Sequence, residues 1–324
     1  MKRIVFLFVF LVLLSIAAVG CKPDNAATNA GTKPPSSSSK NFLEMTDAAK
    51  RHVVIEKKPE RVVIMASSIL NYVAAVNGKI VGRPSEKIAE IPDMYHNTEE
   101  VGHVFNINME KVVGLKPDLV LMNAQQNNKF SKMLESNHIP FIVLQPKTYE
   151  EIKQAMVTVG KVYGNEAVAV KKNKEMDDEI ARIISKLPEK RGKKIVILHA
   201  TPSAVTVELE NSIAGGIAKM LGFVNIASGS TPIQGKPERT PYSMEVLVEK
   251  NPDIIFITSM GAKDKIEKRL QSDVQGNPAY AALTAVKNHK VYVLPEGMFL
   301  LTPGLRYPEA VQLMAKDVFP ESFK

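Results

Sequence analysis

Apolar positions fall into three regimes along this 324-residue chain. An unbroken apolar run, Ile4 to Leu14, follows Met1-Lys2-Arg3 and leads into Ser15-Ile16-Ala17-Ala18-Val19-Gly20-Cys21. Residues Lys22 to Lys40 carry four consecutive Ser and no apolar periodicity, too little apolar surface to fold. Beyond them, short β-branched runs alternate with helix-length amphipathic stretches. Strands are predicted at 61–65, 79–82, 118–122, 140–144, 194–198, 253–258 and 290–294. Such alternation predicts an α/β fold with parallel sheets covered on both faces.

One repeat sets the architecture. Met109-Glu-Lys-Val-Val-Gly-Leu-Lys-Pro-Asp-Leu-Val-Leu-Met122 recurs as Met244-Glu-Val-Leu-Val-Glu-Lys-Asn-Pro-Asp-Ile-Ile-Phe-Ile257. Each copy reads as a helix stopped before Pro and followed by a buried strand. Between the copies, Glu166 to Leu187 contains neither Gly nor Pro and predicts one long helix. The chain thus divides into a signal segment (1–20), Cys21 with a flexible tether (21–51), an N-terminal α/β lobe (52–165), a bridging helix (166–189) and a C-terminal α/β lobe (190–324).

Composition narrows the chemistry. Lys+Arg 42 against Asp+Glu 34 gives +8, without a basic block that would track a phosphate backbone, so nucleic acid is not an expected partner. One Cys excludes a disulfide framework and a Cys-based metal cluster. That Cys follows a basic start, a short apolar run and small residues, the order of a secretory signal. Ala18-Val19-Gly20-Cys21 resembles the bacterial lipobox, although Ala18 stands where Leu is commoner. The resemblance implies a lipidated Cys21 at the extracytoplasmic face of the cell membrane. The mature chain contains no Gly-x-Ser-x-Gly, His-Glu-x-x-His, Walker or Gly-x-Gly-x-x-Gly motif, so nothing positive points to an enzyme. Scattered His residues also argue against a free Zn²⁺ or Mn²⁺ site.

In open α/β sheets ligands bind beyond the carboxyl ends of the strands. That rule picks out Ser67 and Ser68, Arg83, Asn123, Met260 and, after the last strand, Arg306. His199 also ends a strand and reads more readily as a histidine bonded within the protein. The loops entering the repeat's helices add Gly102-His103 in one lobe and Arg239 and Tyr242 in the other.

The segments Leu115-Lys-Pro-Asp-Leu-Val-Leu121, Asn251-Pro-Asp-Ile-Ile-Phe-Ile257, Ala285-Val-Lys-Asn-His-Lys-Val-Tyr292 and Pro303-Gly-Leu-Arg-Tyr-Pro-Glu-Ala-Val311 resemble the substrate-binding lipoproteins of ABC importers. The similarity is to the iron-siderophore, haem and cobalamin group and spans roughly residues 52–320. It implies two lobes bridged by a rigid helix with little hinge motion. It further implies a monomer without an intrinsic cofactor that delivers an iron complex, ferric siderophore or haem, to an ABC permease and its ATPase. If the ligand is haem, the resemblance places His103 where an axial residue follows Gly, with Met260 opposite as the second iron ligand. Arg83, Arg239 and Arg306 would hold propionates or a siderophore's acidic groups. Asn71 and Gly216 stand where many members carry permease-docking Glu residues. Cobalamin binding, and a surface-tethered sensor or enzyme on the same fold, stay open as alternatives, although the absence of Trp disfavours cobalamin.

Overall fold

A computed structural model describes residues 41–85, 91–301 and 303–324. Two short strands, β1 (Leu43–Thr46) and β2 (His52–Ile55), form an antiparallel hairpin ahead of the main fold. This corrects the expected tether over 21–51, whose last residues are structured. Asp47, in the hairpin turn, is buried and accepts hydrogen bonds from the backbone N–H groups of Ala49, Arg51 and Val143. Cys21 and residues 22–40 lie outside the described residues.

The first sheet is built from β3 (Val62–Ile64), β4 (Gly82–Ser85), β5 (Glu99–His103), β6 (Asn106–Ile107), β7 (Leu119–Asn123) and β8 (Phe141–Leu144), in the order β6-β5-β4-β3-β7-β8. All neighbours are parallel except β6 on β5. The second contains β9 (Lys194–Ala200), β10 (Val205–Glu208), β11 (Val224–Asn225), β12 (Arg239–Pro241), β13 (Ile254–Ser259) and β14 (Val291–Val293). Its order is β12-β10-β9-β13-β14, and β11 pairs with the start of β9. Here β10 and β12 run antiparallel, so the sheet is parallel-rich rather than wholly parallel.

The internal repeat is structural as well as sequential. The helices Met109–Gly114 and Met244–Lys250 are both N-capped, by the side chains of Asn108 and Ser243. Each leads to a residue with positive φ, Lys116 and Asn251, before the Pro-Asp step. The repeated Asp then pins the neighbouring strand. Asp118 accepts the N–H groups of Glu60 and Arg61 at the start of β3, and Asp253 accepts the N–H of Lys194 at the start of β9. Pro ends the helix, and Asp sets where the sheet begins.

The long helix spans Glu166–Ser185, shorter at its C-terminal end than the 166–189 read from the sequence. It packs against the preceding helix Tyr149–Tyr163, from which it is separated by Gly164 in the left-handed conformation and Asn165. One apolar core runs through both sheets: Ile64 and Leu121 belong to the same cluster as Ile195 and Phe256. Tyr307 and Met314 of the helix Tyr307–Val318 join it, with the Tyr307 ring 4.7 Å from that of Tyr149.

Candidate functional site

A cleft of about 1500 Å³ opens at the carboxyl ends of the central strands of both sheets. Seven of the nine ligand candidates line it: Ser67, Ser68, His103, Asn123, Arg239, Met260 and Arg306.

Ser67 and Ser68 open the helix Ser67–Ala75, whose cap residue Ala66 offers no side-chain acceptor to the free N–H groups. Both hydroxyl oxygens are buried and lack a hydrogen-bond partner. His103 ends β5 at the cleft rim, and its ring centroid lies 6.1 Å from that of Phe105. Gly102 makes that turn possible. Its φ of +101° places the chain where an added Cβ would come within 2.8 Å of the Asn106 carbonyl oxygen. The amide oxygen of Asn123 is committed to the fold, accepting the Gln125 N–H at 2.9 Å. Met260 follows β13 and is 46% exposed. Arg306 donates to Glu309 at 2.9 Å.

Two candidates do not reach the cleft. Arg83, only 5% exposed, is held by the fold. Its guanidinium donates to the carbonyls of Tyr95 at 2.8 Å and His96 at 3.0 Å and pairs with Glu100 at 2.9 Å. The strand lies at Gly82–Ser85 rather than at 79–82, so Arg83 belongs to its interior and not to its outgoing loop. Tyr242 packs beside the second sheet's own apolar cluster, and its hydroxyl faces the Met244 sulfur at 3.8 Å. Burial pushes this phenol up to about 12.

A small cavity that shares Asn123 and Arg239 with the cleft holds groups that the strand-end reading passed over. Lys147, just past β8, reaches Glu238, just before β12, at 2.8 Å. This ion pair links the two sheets beside that cavity, of about 90 Å³, which Asn123, Gln145, Glu208 and Arg239 also line. Burial alone would raise the Glu238 carboxyl. The hydrogen bond and charge of Lys147, a backbone N–H and the charge of Arg239 outweigh it and hold the group below its ordinary range. Applying the strand-end rule to 140–144 would have found Lys147, because Gln145-Pro146-Lys147 follows directly.

Arg239 sits opposite Glu208 across the β12–β10 pair. Glu208 is already occupied: it accepts the Thr258 hydroxyl, whose oxygen lies 2.9 Å from His199 Nδ1. His199 is therefore a buried residue bonded within the protein, as its strand-end position suggested, although its Nε2 has no partner. Arg239 Nε is likewise buried without a hydrogen bond, and its nearest carboxylate oxygen, on Glu238, is 4.0 Å away. Among the described residues no group of three or more His, Cys, Asp or Glu side chains could hold a bare metal ion. The chemistry on offer among the described residues is thus a mixed cleft with apolar walls, hydroxyls, one imidazole, the thioethers of Met176, Met260 and Met298, and a guanidinium on Arg239 without a hydrogen bond.

The chain is similar in sequence and fold to several known proteins. The ferric-anguibactin-binding protein of Vibrio anguillarum is 27% identical over 257 residues, covering 77% of this chain and 79% of the relative. An Fe(3+)-citrate-binding protein of Bacillus subtilis is 25% identical over 328 residues, covering 99% of this chain and 98% of the relative. The fold matches a Staphylococcus aureus protein solved in complex with haem, with a TM-score of 0.69 at 22% identity, over 79% of this chain and 98% of that one. Residues 62–297 match the profile of the periplasmic binding proteins, and on that extent of match the chain belongs to this family of solute-binding proteins.

Proposed function

We propose that this chain is a lipid-anchored, extracytoplasmic binding protein that captures an iron complex, a ferric siderophore or haem, and hands it to an ABC permease. One observation carries the reading. The about 1500 Å³ cleft is large enough for a chelated iron complex and gathers His103, Met260 and Arg239 from separate elements around one space. The names of the siderophore- and citrate-binding relatives support iron as the cargo. The family binds solutes and does not transform them, so the site needs to hold and release its ligand without catalysing a reaction.

If haem is the cargo, His103 supplies an imidazole nitrogen and Met260 a thioether, an axial pair known to hold haem iron. Ser67 and Ser68 would meet polar groups at the helix N-terminus, where unpaired N–H groups favour negative charge. Haemin titration of the purified mature protein should then produce a shifted Soret band. His103→Ala and Met260→Ala should each move that band and weaken binding. An identical band in both variants would overturn the axial pair.

The anchor is tested apart from the ligand. Cys21→Ala should move the protein from the membrane fraction to the soluble extracytoplasmic fraction, because no lipid can then be attached. Full retention on membranes would refute lipidation at this residue.

A further inference from the structure

The charges around the cleft restrict what kind of iron complex it can accept. Among the described residues three acids and three bases line it: Asp93, Glu175 and Glu296 against Lys172, Arg239 and Arg306. The formal sum is zero. Two of the bases already face carboxylates, Lys172 with Glu175 at 2.8 Å and Arg306 with Glu309 at 2.9 Å. Arg239 differs. The carboxylate nearest to it is taken by Lys147 at 2.8 Å, and Arg239 Nε has no acceptor. The small cavity beneath it repeats the balance, with Glu208 and Glu238 against Lys147 and Arg239.

The walls carry the opposite character. Phe105 is 54% exposed and sits beside the His103 ring, while Met260, Met298, Leu300 and Leu305 supply apolar surface. A large exposed aromatic and a half-exposed thioether gain most from a flat, apolar ligand face. A polyanion gains little from such walls. It would also bring several charges into a space where, among the described residues, Arg239 is the cation most weakly matched, its nearest carboxylate oxygen 4.0 Å away, and each uncompensated buried charge is costly.

We infer that the cleft selects iron complexes with an aromatic face and no more than one net negative charge, one anionic group of which Arg239 receives, and discriminates against polyanionic chelates. This inference rests on the iron-complex reading above and narrows it to a ligand class. It assigns Arg239 the anion and gives Arg306 and Lys172 no such role.

Calorimetric titration with three probes tests it. Haemin offers a porphyrin face and one net negative charge, ferric tris(catecholate) carries three, and ferric citrate is a polycarboxylate chelate without an aromatic face. Ferric citrate is the discriminating probe, because it is the cargo named for one relative. Wild type should bind haemin roughly 100-fold more tightly than either polyanion, since two unmatched charges forfeit at least that much. Arg239→Gln should weaken haemin roughly 10- to 100-fold, the loss expected of one charge-assisted hydrogen bond, and Arg239→Lys should restore part of it. Glu296→Lys removes a cleft carboxylate and adds a cation without touching the Arg239 region, and should strengthen ferric tris(catecholate) roughly tenfold. Polyanions bound as tightly as haemin, or haemin binding unchanged in Arg239→Gln, would overturn the inference while leaving the iron-complex reading intact. Absence of binding to all three probes by a protein with a native circular-dichroism spectrum would refute the iron-complex reading itself, and the inference with it.

Discussion

Asp47→Ala should cost about 3 kcal/mol of stability, because it leaves an arginine and three backbone N–H groups without their acceptor. The carboxylate has no exposed side-chain surface and takes Arg51 Nη2 at 2.6 Å and Nε at 3.0 Å, besides its backbone donors. Arg51 in turn donates to the Phe141 carbonyl at 2.8 Å and stacks 3.6 Å above the Phe141 ring. The pair therefore fastens the N-terminal hairpin to the edge strand β8, covering an edge that would otherwise stand unpaired. Asp47→Asn keeps the shape but not the charge, and should lose less. Thermal unfolding followed by circular dichroism reads both variants. An unchanged midpoint for Asp47→Ala would show that the hairpin contributes nothing to the fold.

Gly215→Ala should be at least as damaging, while Gly216→Ala, one residue along the same helix, should be harmless. A Cβ at position 215 would stand 2.0 Å from the Leu209 carbonyl oxygen and 2.9 Å from the Glu210 Cα, both backbone atoms that cannot rotate away. Relief requires moving the helix Ile213–Met220 off the 209–210 turn, an overpacking cost of about 3 kcal/mol or more. At position 216 the nearest atom is the Tyr307 hydroxyl at 3.4 Å, ordinary contact. There the helix propensity of Ala should add about 1 kcal/mol. Denaturant midpoints for the two variants should therefore move in opposite directions, and equal shifts would contradict the packing described. Because the same turn follows Glu208 and precedes Ser212, Gly215→Ala should also disturb the small cavity that shares Asn123 and Arg239 with the cleft.

The architecture was legible because it depends on patterns local to the chain. Two copies of a helix, a Pro-Asp step and a buried strand predict two sheets, and the structure places each repeated strand second from one edge of its sheet, paired on both sides. The structure adds why the motif recurs: the aspartate carboxylate fixes the start of the adjacent strand. The antiparallel edges were less legible, since β10 and β12 are short and carry no alternation that reveals direction. The hairpin at 43–55 was hidden for a similar reason. Four-residue strands beside a Ser-rich stretch leave little periodicity, and the Asp47-to-Arg51 spacing is the only trace of its fastening. For the cleft, five of the six residues that the strand-end rule picked out do line it: Ser67, Ser68, Asn123, Met260 and Arg306. It failed at Arg83, because the carbonyls that capture this side chain come from a turn at residues 95 and 96, a contact set by tertiary folding. It also passed over Phe105, which reads as an ordinary loop residue until the turn at Gly102 places it beside His103.

The core shared by both sheets bears on how the protein reaches its place of work. Tyr307, Val311 and Met314, near the end of the chain, sit in the same apolar cluster as residues of the first sheet, and an added Cβ at Gly304 would touch the Tyr72 ring of the first sheet's helix. During synthesis, neither sheet can finish burying its apolar face until residues 307–318 have left the ribosome. A chain so arranged stays open until that helix has been made. Under the extracytoplasmic role proposed above, that state would suit passage through a membrane pore as an extended strand, with folding completed on the far side.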